Sequence, residues 1–243
     1  VNALLDNVAV IVPVFEPDTG FSNVLMEISS RVAFVVVVDD GSSKEIKVAN
    51  TRSRCIIVRN KKNEGVFDAI RLGLVKARNL GARIGVVMAG DGQMAVEDLE
   101  RIVAPIALGY ADFVKGNRLS HEKCPSDMPF LRRIGGYFLT FICRMVCFSS
   151  AIMDSQCGYV AFRLDVLDKL PLWWVYPRYG YPLELVACVH GCGLRFAQVT
   201  TRPVYDGERS GITVFGAMVI FPFVAVRAMA LRILCTLRRF LSS

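Results

Sequence analysis

Short apolar runs recur along the first half of the chain, and helix-like patterns separate them. Val8–Pro13, Val32–Val38, Cys55–Arg59 and Ile84–Ala89 are five to seven residues long and almost continuously apolar. Runs this short, without alternation, predict strands buried on both faces of a parallel sheet. Between them, Ser22–Arg31 and Glu64–Leu80 carry helical spacing. Phe67, Ile70, Leu74 and Ala77 mark the second, and Val96–Leu108 repeats it with Val96, Leu99, Ile102, Val103 and Ile106. Strand and helix in alternation predict βαβ units and a doubly wound, Rossmann-like α/β sheet.

The second half differs. Phe130–Phe148 is a long apolar helix interrupted by Arg132, Arg133 and Arg144. Gly158–Phe162 and Leu194–Val199 read as strands, with Pro182–Cys192 as a helix between them. From Thr213 to Leu241 the chain is apolar apart from four arginines. Ile212–Val226 is uncharged but, at fifteen residues, shorter than the roughly 20 a span needs, and Pro222 interrupts it. After Pro222, Arg227, Arg232, Arg238 and Arg239 fall near about 0°, 140°, 20° and 120° around a helix. This predicts an amphipathic helix in a membrane interface, with its arginines toward anionic headgroups.

Composition narrows the classes. With 53% hydrophobic and 21% charged residues over 243 positions, disorder is excluded and a sizeable core is expected. A mean hydropathy of +0.41 leaves membrane contact open. The 29 Lys and Arg against 22 Asp and Glu suit an anionic partner. Eight cysteines are spread singly, without CxxC, as expected of free thiols in a reducing compartment. His190 lies beside Cys188 and Cys192, but structural zinc needs four ligands. No signal-peptide pattern is read at the N-terminus.

Ligands of open α/β sheets lie beyond the carboxyl ends of the strands. There the sequence places Asp39 and Asp40, then Asp91 and Gln93. Oxygen ligands of this kind suit Mg²⁺ or Mn²⁺ bridged to substrate phosphates. No GxGxxG follows the first strand and no P-loop occurs, so neither phosphate cradle is present.

The ordered series Val10–Phe15, Val37–Ser42, Asn63-Glu64-Gly65, Gly90–Gln93, Gly116-Asn117-Arg118 and Asp154–Tyr159 resembles family-2 glycosyltransferases of the GT-A fold. It is similar in particular to the dolichyl-phosphate mannose synthase group and its bacterial polyprenyl-phosphate relatives. The resemblance covers roughly residues 7–211. It implies a catalytic domain over 1–211 and a membrane-associating segment over 212–243. It also implies site roles. Pro13, Phe15, Glu16, Val38, Asp39, Asp40 and Gly90 would contact the nucleotide-sugar, with Asp39 and Asp40 at base and ribose. Asp91 and Gln93 would hold Mg²⁺ or Mn²⁺ on the diphosphate. Arg118, Arg132, Arg202 and Arg209 would face the acceptor phosphate or the diphosphate, and Arg118 would share the catalytic role with Asp91. Glu184 would bond a sugar hydroxyl, or stabilise its helix N-terminus. Two departures stand out. Ala89 replaces the first acid of the family's Asp-x-Asp, and Pro17 stands where an acid is common, with Glu16 one place earlier.

The expectation is a metal-dependent, inverting transfer from a nucleotide-sugar to polyprenyl phosphate, at the cytosolic face of a membrane that the protein enters peripherally or monotopically. A glycan acceptor is the alternative, although the QxxRW signature and spanning helices usual there are not found. A nucleic-acid module is disfavoured because the arginines sit in apolar helices or beside acidic turns. Ala89 keeps a catalytically dead scaffold open.

Overall fold

The computed structural model describes residues 3–48, 54–122, 124, 128, 130–178, 180–204 and 214–241; side chains at 3, 54, 131, 132 and 214–221 are outside this description. The strands are β1 (Val8–Val14), β2 (Phe34–Asp39), β3 (Arg54–Arg59), β4 (Ile84–Val87), β5 (Phe113–Asn117), β6 (Val160–Arg163) and β7 (Phe196–Thr200). They form one sheet in the order β3-β2-β1-β4-β6-β5-β7. β6 runs antiparallel to both β4 and β5, and the other neighbouring pairs are parallel.

The helices are α1 (Phe21–Ser29), α2 (Val66–Asn79), α3 (Leu99–Ala107), α4 (Phe130–Cys147), α5 (Tyr181–Gly191) and α6 (Val214–Leu241). They cover both faces, so each central strand splits its side chains between two cores. Ala9 and Ile11 of β1, with Val36 and Val38 of β2, meet α2, α4, α5 and α6. Val8, Val10, Val12, Val35 and Val37 meet α1 and α3. This period-two division is why the strands read as continuous apolar runs. α2 approaches the sheet closely because Gly73 has no side chain. A Cβ there would lie 2.3 Å from Ile11 Cγ2.

The elements read from the sequence pattern recur apart from their ends, and β5 is added to them. α2 begins at Val66 rather than Glu64, because Gly65 turns the chain with φ of 113°. β4 ends at Val87, freeing residues 88–93 to turn. Pro222 does not break α6, which runs 28 residues, about 42 Å, through it. Among the described residues no helix is long and apolar enough to cross a membrane.

α6 shares a core with α5 through Val224, Ala228, Leu231 and Cys235. The expected orientation of its arginines needs correcting. With Arg227 at 0°, the arginine arc and these buried residues both centre near about 70°, whereas exposed Phe223, Val226, Ile233, Leu237 and Phe240 centre near about 260°. The arginines therefore straddle the side facing the protein. Arg227 binds Glu184, Arg232 lies over the Phe148 ring and Arg238 over Trp174. The apolar stripe faces outward. α4 repeats the arrangement, exposing Phe130, Ile134, Tyr137, Phe138, Phe141 and Met145 opposite buried Leu139, Cys143 and Val146. All eight cysteines are free thiols, as expected.

Candidate active site

A cleft of about 370 Å³ opens beyond the carboxyl ends of β1 and β2. Pro13, Val14, Phe15, Asp40, Asn63 and Arg178 are among its lining residues. Parallel pairing places Pro13 beside Val38 and Val14 beside Asp39, which brings the two strand ends to one mouth. Phe15 is half exposed there, as a ring that could stack on a base must be.

The two aspartates of the first acidic turn have different work. Asp39 is fully buried. Its Oδ1 accepts the Ser42 N–H at 2.8 Å and closes the turn. Its Oδ2 accepts no hydrogen bond among the described residues; Arg59 Nε lies 3.3 Å away without donating. Asn63 Oδ1 is likewise buried without a partner among the described residues. Buried acceptors are costly unless satisfied, so Asn63 Oδ1 at the cleft lining suits a ligand carrying N–H groups, whereas the Asp39 carboxylate is paired with Arg59. Asp40 is instead a clamp. It accepts from Asn60 Nδ2 at 2.8 Å, Glu64 N at 3.0 Å and Gly65 N at 2.8 Å, tying the end of β2 to the entry of α2.

Other expected nucleotide residues are placed less directly. Val38 has its side chain in the core, packed towards Gly73, so only its backbone reaches the strand end. Glu16 has a left-handed backbone with φ of 48° and turns its carboxylate onto Ser43, accepting from the amide at 2.7 Å and the hydroxyl at 3.2 Å. Its own N–H donates to Ser42 Oγ. It therefore staples the first loop to the second. Gly90 lies against Phe21, where a Cβ would come within 2.8 Å of the ring.

Asp91 is exposed beyond β4, and its Oδ1 accepts the Gln93 N–H at 3.0 Å, so both side chains belong to one tight turn. Among the described residues no three His, Cys, Asp or Glu side chains converge as a metal-binding group. The expected donor set would be one carboxylate and one amide oxygen, both hard. That suits a divalent cation completed by water and substrate phosphates, not one caged by protein.

Arg118, expected at the acceptor phosphate, leaves the end of β5 and is held by fully buried Asp154, Nε to Oδ2 at 2.9 Å. The bridge between Met94 and Pro203 sets Arg202 beside the Asp91 turn, and Arg202 N donates to Asp98. Arg209 and the Arg132 side chain lie outside the described residues. Glu184 lies in the first turn of α5, as its helix-terminal reading has it, and is not open to a sugar. It is fully buried, with Oε1 bound to Arg227 Nε at 2.8 Å and Oε2 accepting the Tyr176 N–H at 2.7 Å. It clamps α5 to α6 instead of facing a sugar.

Several residues escaped the sequence reading. Asn63 belongs to the Asn63-Glu64-Gly65 motif, to which the resemblance assigns no role for it. Arg178 meets Asn63 O at 3.4 Å across 115 positions of sequence, for which no local signal exists. Lys115, fully buried in β5, looks in sequence like an ordinary loop cation.

Known proteins bear on this geometry. The chain is 26% identical over 201 residues to an uncharacterized protein of Methanocaldococcus jannaschii, covering 82% of each. It is 26% identical over 213 residues to the UDP-N-acetylglucosamine–dolichyl-phosphate N-acetylglucosaminyltransferase of Methanococcus voltae, covering 80% of this chain and 84% of that protein. Among solved structures, it superposes on the Mycobacterium tuberculosis glucosyl-3-phosphoglycerate synthase complex with Mn²⁺, UDP and glucosyl-3-phosphoglycerate, with a TM-score of 0.66. That match has 17% identity and covers 93% of this chain and 79% of the other, so it bears on the fold, which is GT-A. Residues 27–170, more than half the chain, match the family described as Glycosyl transferase family 2. With acidic turns closing β2 and β4 of a GT-A sheet, that match makes the chain a glycosyltransferase and a member of family 2.

Proposed function

We propose that this glycosyltransferase moves a sugar from a nucleotide-sugar to the phosphate of a polyprenyl, dolichyl-type lipid at a membrane surface. The observation that carries the donor half is the cleft beyond β1 and β2, with Asn63 Oδ1 buried at its lining and without a hydrogen-bond partner among the described residues. A nucleobase N–H at the cleft floor would satisfy it, and Phe15 would stack on the ring. The lipid half rests on the Methanococcus voltae relative, whose name states a dolichyl-phosphate acceptor, and on the apolar stripes that α4 and α6 expose on one face of the sheet.

The chemistry asks little of a base, because the acceptor phosphate is already anionic near neutral pH. Arg118 would orient that phosphate, and Arg202 would offset charge on the diphosphate. Asp91 and Gln93 would hold a divalent cation, which supplies Lewis-acid stabilisation of the leaving group when bound. In-line attack on the anomeric carbon inverts it. The apolar stripes would seat the protein on the bilayer, peripherally, with lipid phosphates near the cleft.

The test offers radiolabelled nucleotide-sugars, UDP-N-acetylglucosamine and GDP-mannose first, with polyprenyl phosphate in liposomes. Label moving into the organic phase is expected. Transfer to a soluble glycan alone would overturn the lipid reading.

A further inference from the structure

Beneath the acceptor side lies a charged cluster the proposed reaction does not use directly. Asp154 is fully buried in the segment between α4 and β6. Its Oδ2 accepts Arg118 N at 3.1 Å and Nε at 2.9 Å. Its Oδ1 accepts Arg118 Nη2 at 3.2 Å, Gln156 N at 3.0 Å and Cys157 N at 3.1 Å. Lys115, also buried, donates to the Cys157 carbonyl in the same segment. The segment is fixed from outside as well. Thr140 Oγ1 of α4 accepts Ser155 N at 3.0 Å, and Gln198 Nε2 of β7 donates to the Asp154 carbonyl at 3.1 Å.

A guanidinium gripped along its Nε–Nη2 edge by a rigid carboxylate has one orientation in place of many. The cluster also carries two basic groups against one acid. Burial would push the Asp154 carboxyl up, but Arg118 and Lys115 outweigh it and hold it low, so the carboxylate stays charged. Lys115 is drawn down as well, chiefly by burial.

We propose that Asp154 is a positioning residue, which with Lys115 behind it holds the Arg118 fork in place for the acceptor phosphate. The inference rests on the lipid-phosphate reading above. Asp154→Asn keeps the shape but replaces an acceptor with an amide facing the Arg118 donors.

The test is binding of a short prenyl phosphate, geranyl phosphate, by calorimetry. UDP and GDP binding serve as the donor-side control, and Arg118→Ala and the double variant complete a cycle. Asp154→Asn is expected to weaken geranyl phosphate binding at least tenfold while changing nucleotide affinity less than twofold. In the Arg118→Ala background it should add almost nothing, because its effect runs through that arginine. Lys115→Met, which keeps length and removes charge, should weaken geranyl phosphate binding severalfold and serves if Asp154→Asn fails to fold.

Equal geranyl phosphate affinity in the wild type and folded variants would overturn this inference alone. A full Asp154→Asn effect persisting without Arg118, or a parallel loss of nucleotide affinity, would also overturn it. Absence of any prenyl phosphate binding to the wild type would overturn both this inference and the acceptor reading.

Discussion

Asp91 and Asp112 are carboxylates at opposite ends of the sheet, and their surroundings assign them opposite work. Asp91 is exposed, with Gln93 N–H as its described partner, so its charge is available. With Ala89 in place of a second acid, Asp91 would be the one carboxylate beside Gln93 for the proposed cation. Asp91→Ala is expected to leave less than about a tenth of transfer activity, since losing such a stabiliser costs several kcal/mol. Calorimetry should show UDP binding in that variant no longer strengthened by Mn²⁺, and EDTA should silence the wild type until Mg²⁺ or Mn²⁺ is restored. Asp112 is buried and gripped by Arg195 Nη2 at 2.7 Å and Arg163 Nη1 at 2.9 Å. The Arg195 hydrogen bond, aided by Arg163, holds its carboxyl down at about 2. A depressed folded pKa gives stability that is complete above the unfolded value near 4 and fades as pH falls towards 2. Asp112→Asn should therefore cost about 2 kcal/mol at pH 7 and almost nothing at pH 2, read by urea unfolding at each pH. The acidic positions were legible in the sequence, because strand ends are where this fold keeps its chemistry. What each acid does was not. Asp40 became a clamp through Asn60, Glu64 and Gly65, a placement made by β3 and α2 and not by the Asp-Asp-Gly turn itself.

At the scale of elements, burial on both faces made β1 and β2 readable, and helical spacing made α2 and α3 readable. Their limits were set by backbone geometry that periodicity does not carry, as Gly65 at the start of α2 shows. Gly73 tests how tightly that helix sits. A methyl there meets Ile11 and Val38, so Gly73→Ala should lower stability by about 1–3 kcal/mol in chemical denaturation, despite its better helix propensity. The α5–α6 clamp was beyond sequence reasoning, because Glu184 and Arg227 lie 43 positions apart. Arg227 also donates to the Trp174 carbonyl at 2.7 Å, so three segments meet at one guanidinium. Removing it alone strands a buried carboxylate. Arg227→Met should cost about 3 kcal/mol, whereas adding Glu184→Gln should recover part of the loss, because an uncharged pair needs no counter-ion. Thermal melts of the two single variants and the double variant would show this coupling. A simple sum of the single effects would contradict the clamp.

For the whole molecule, the decisive arrangement is that one face of the sheet carries α4 and α6, each buried on one side and exposing an apolar stripe on the other. The arginines predicted to reach outward are largely occupied in holding α6 to the body, so the proposed membrane affinity would come mainly from the stripe. Ile233 and Leu237 are about half exposed, at 52% and 55%, one turn apart in its middle. Burying a whole side chain of this kind is worth about 1.5–3 kcal/mol, so the exposed half of each would contribute about 1 kcal/mol on entering lipid. Ile233→Ser with Leu237→Ser should then weaken liposome binding by about 2 kcal/mol, roughly thirtyfold. Fold stability should change little, since neither side chain belongs to the α5–α6 core. Nucleotide binding should also survive, because the cleft is built from β1, β2 and the start of α2. Reversing Arg238 and Arg239 to Glu tests the other contribution. If their charge still reaches anionic headgroups past Trp174, binding should weaken and lose part of its salt sensitivity. Co-sedimentation with neutral and anionic liposomes separates the two effects. The serine variant should lose binding to both, and the glutamate variant chiefly to the anionic ones. Undiminished sedimentation of the serine variant would mean that the stripe does not face lipid, and the membrane-surface reading would fall with it.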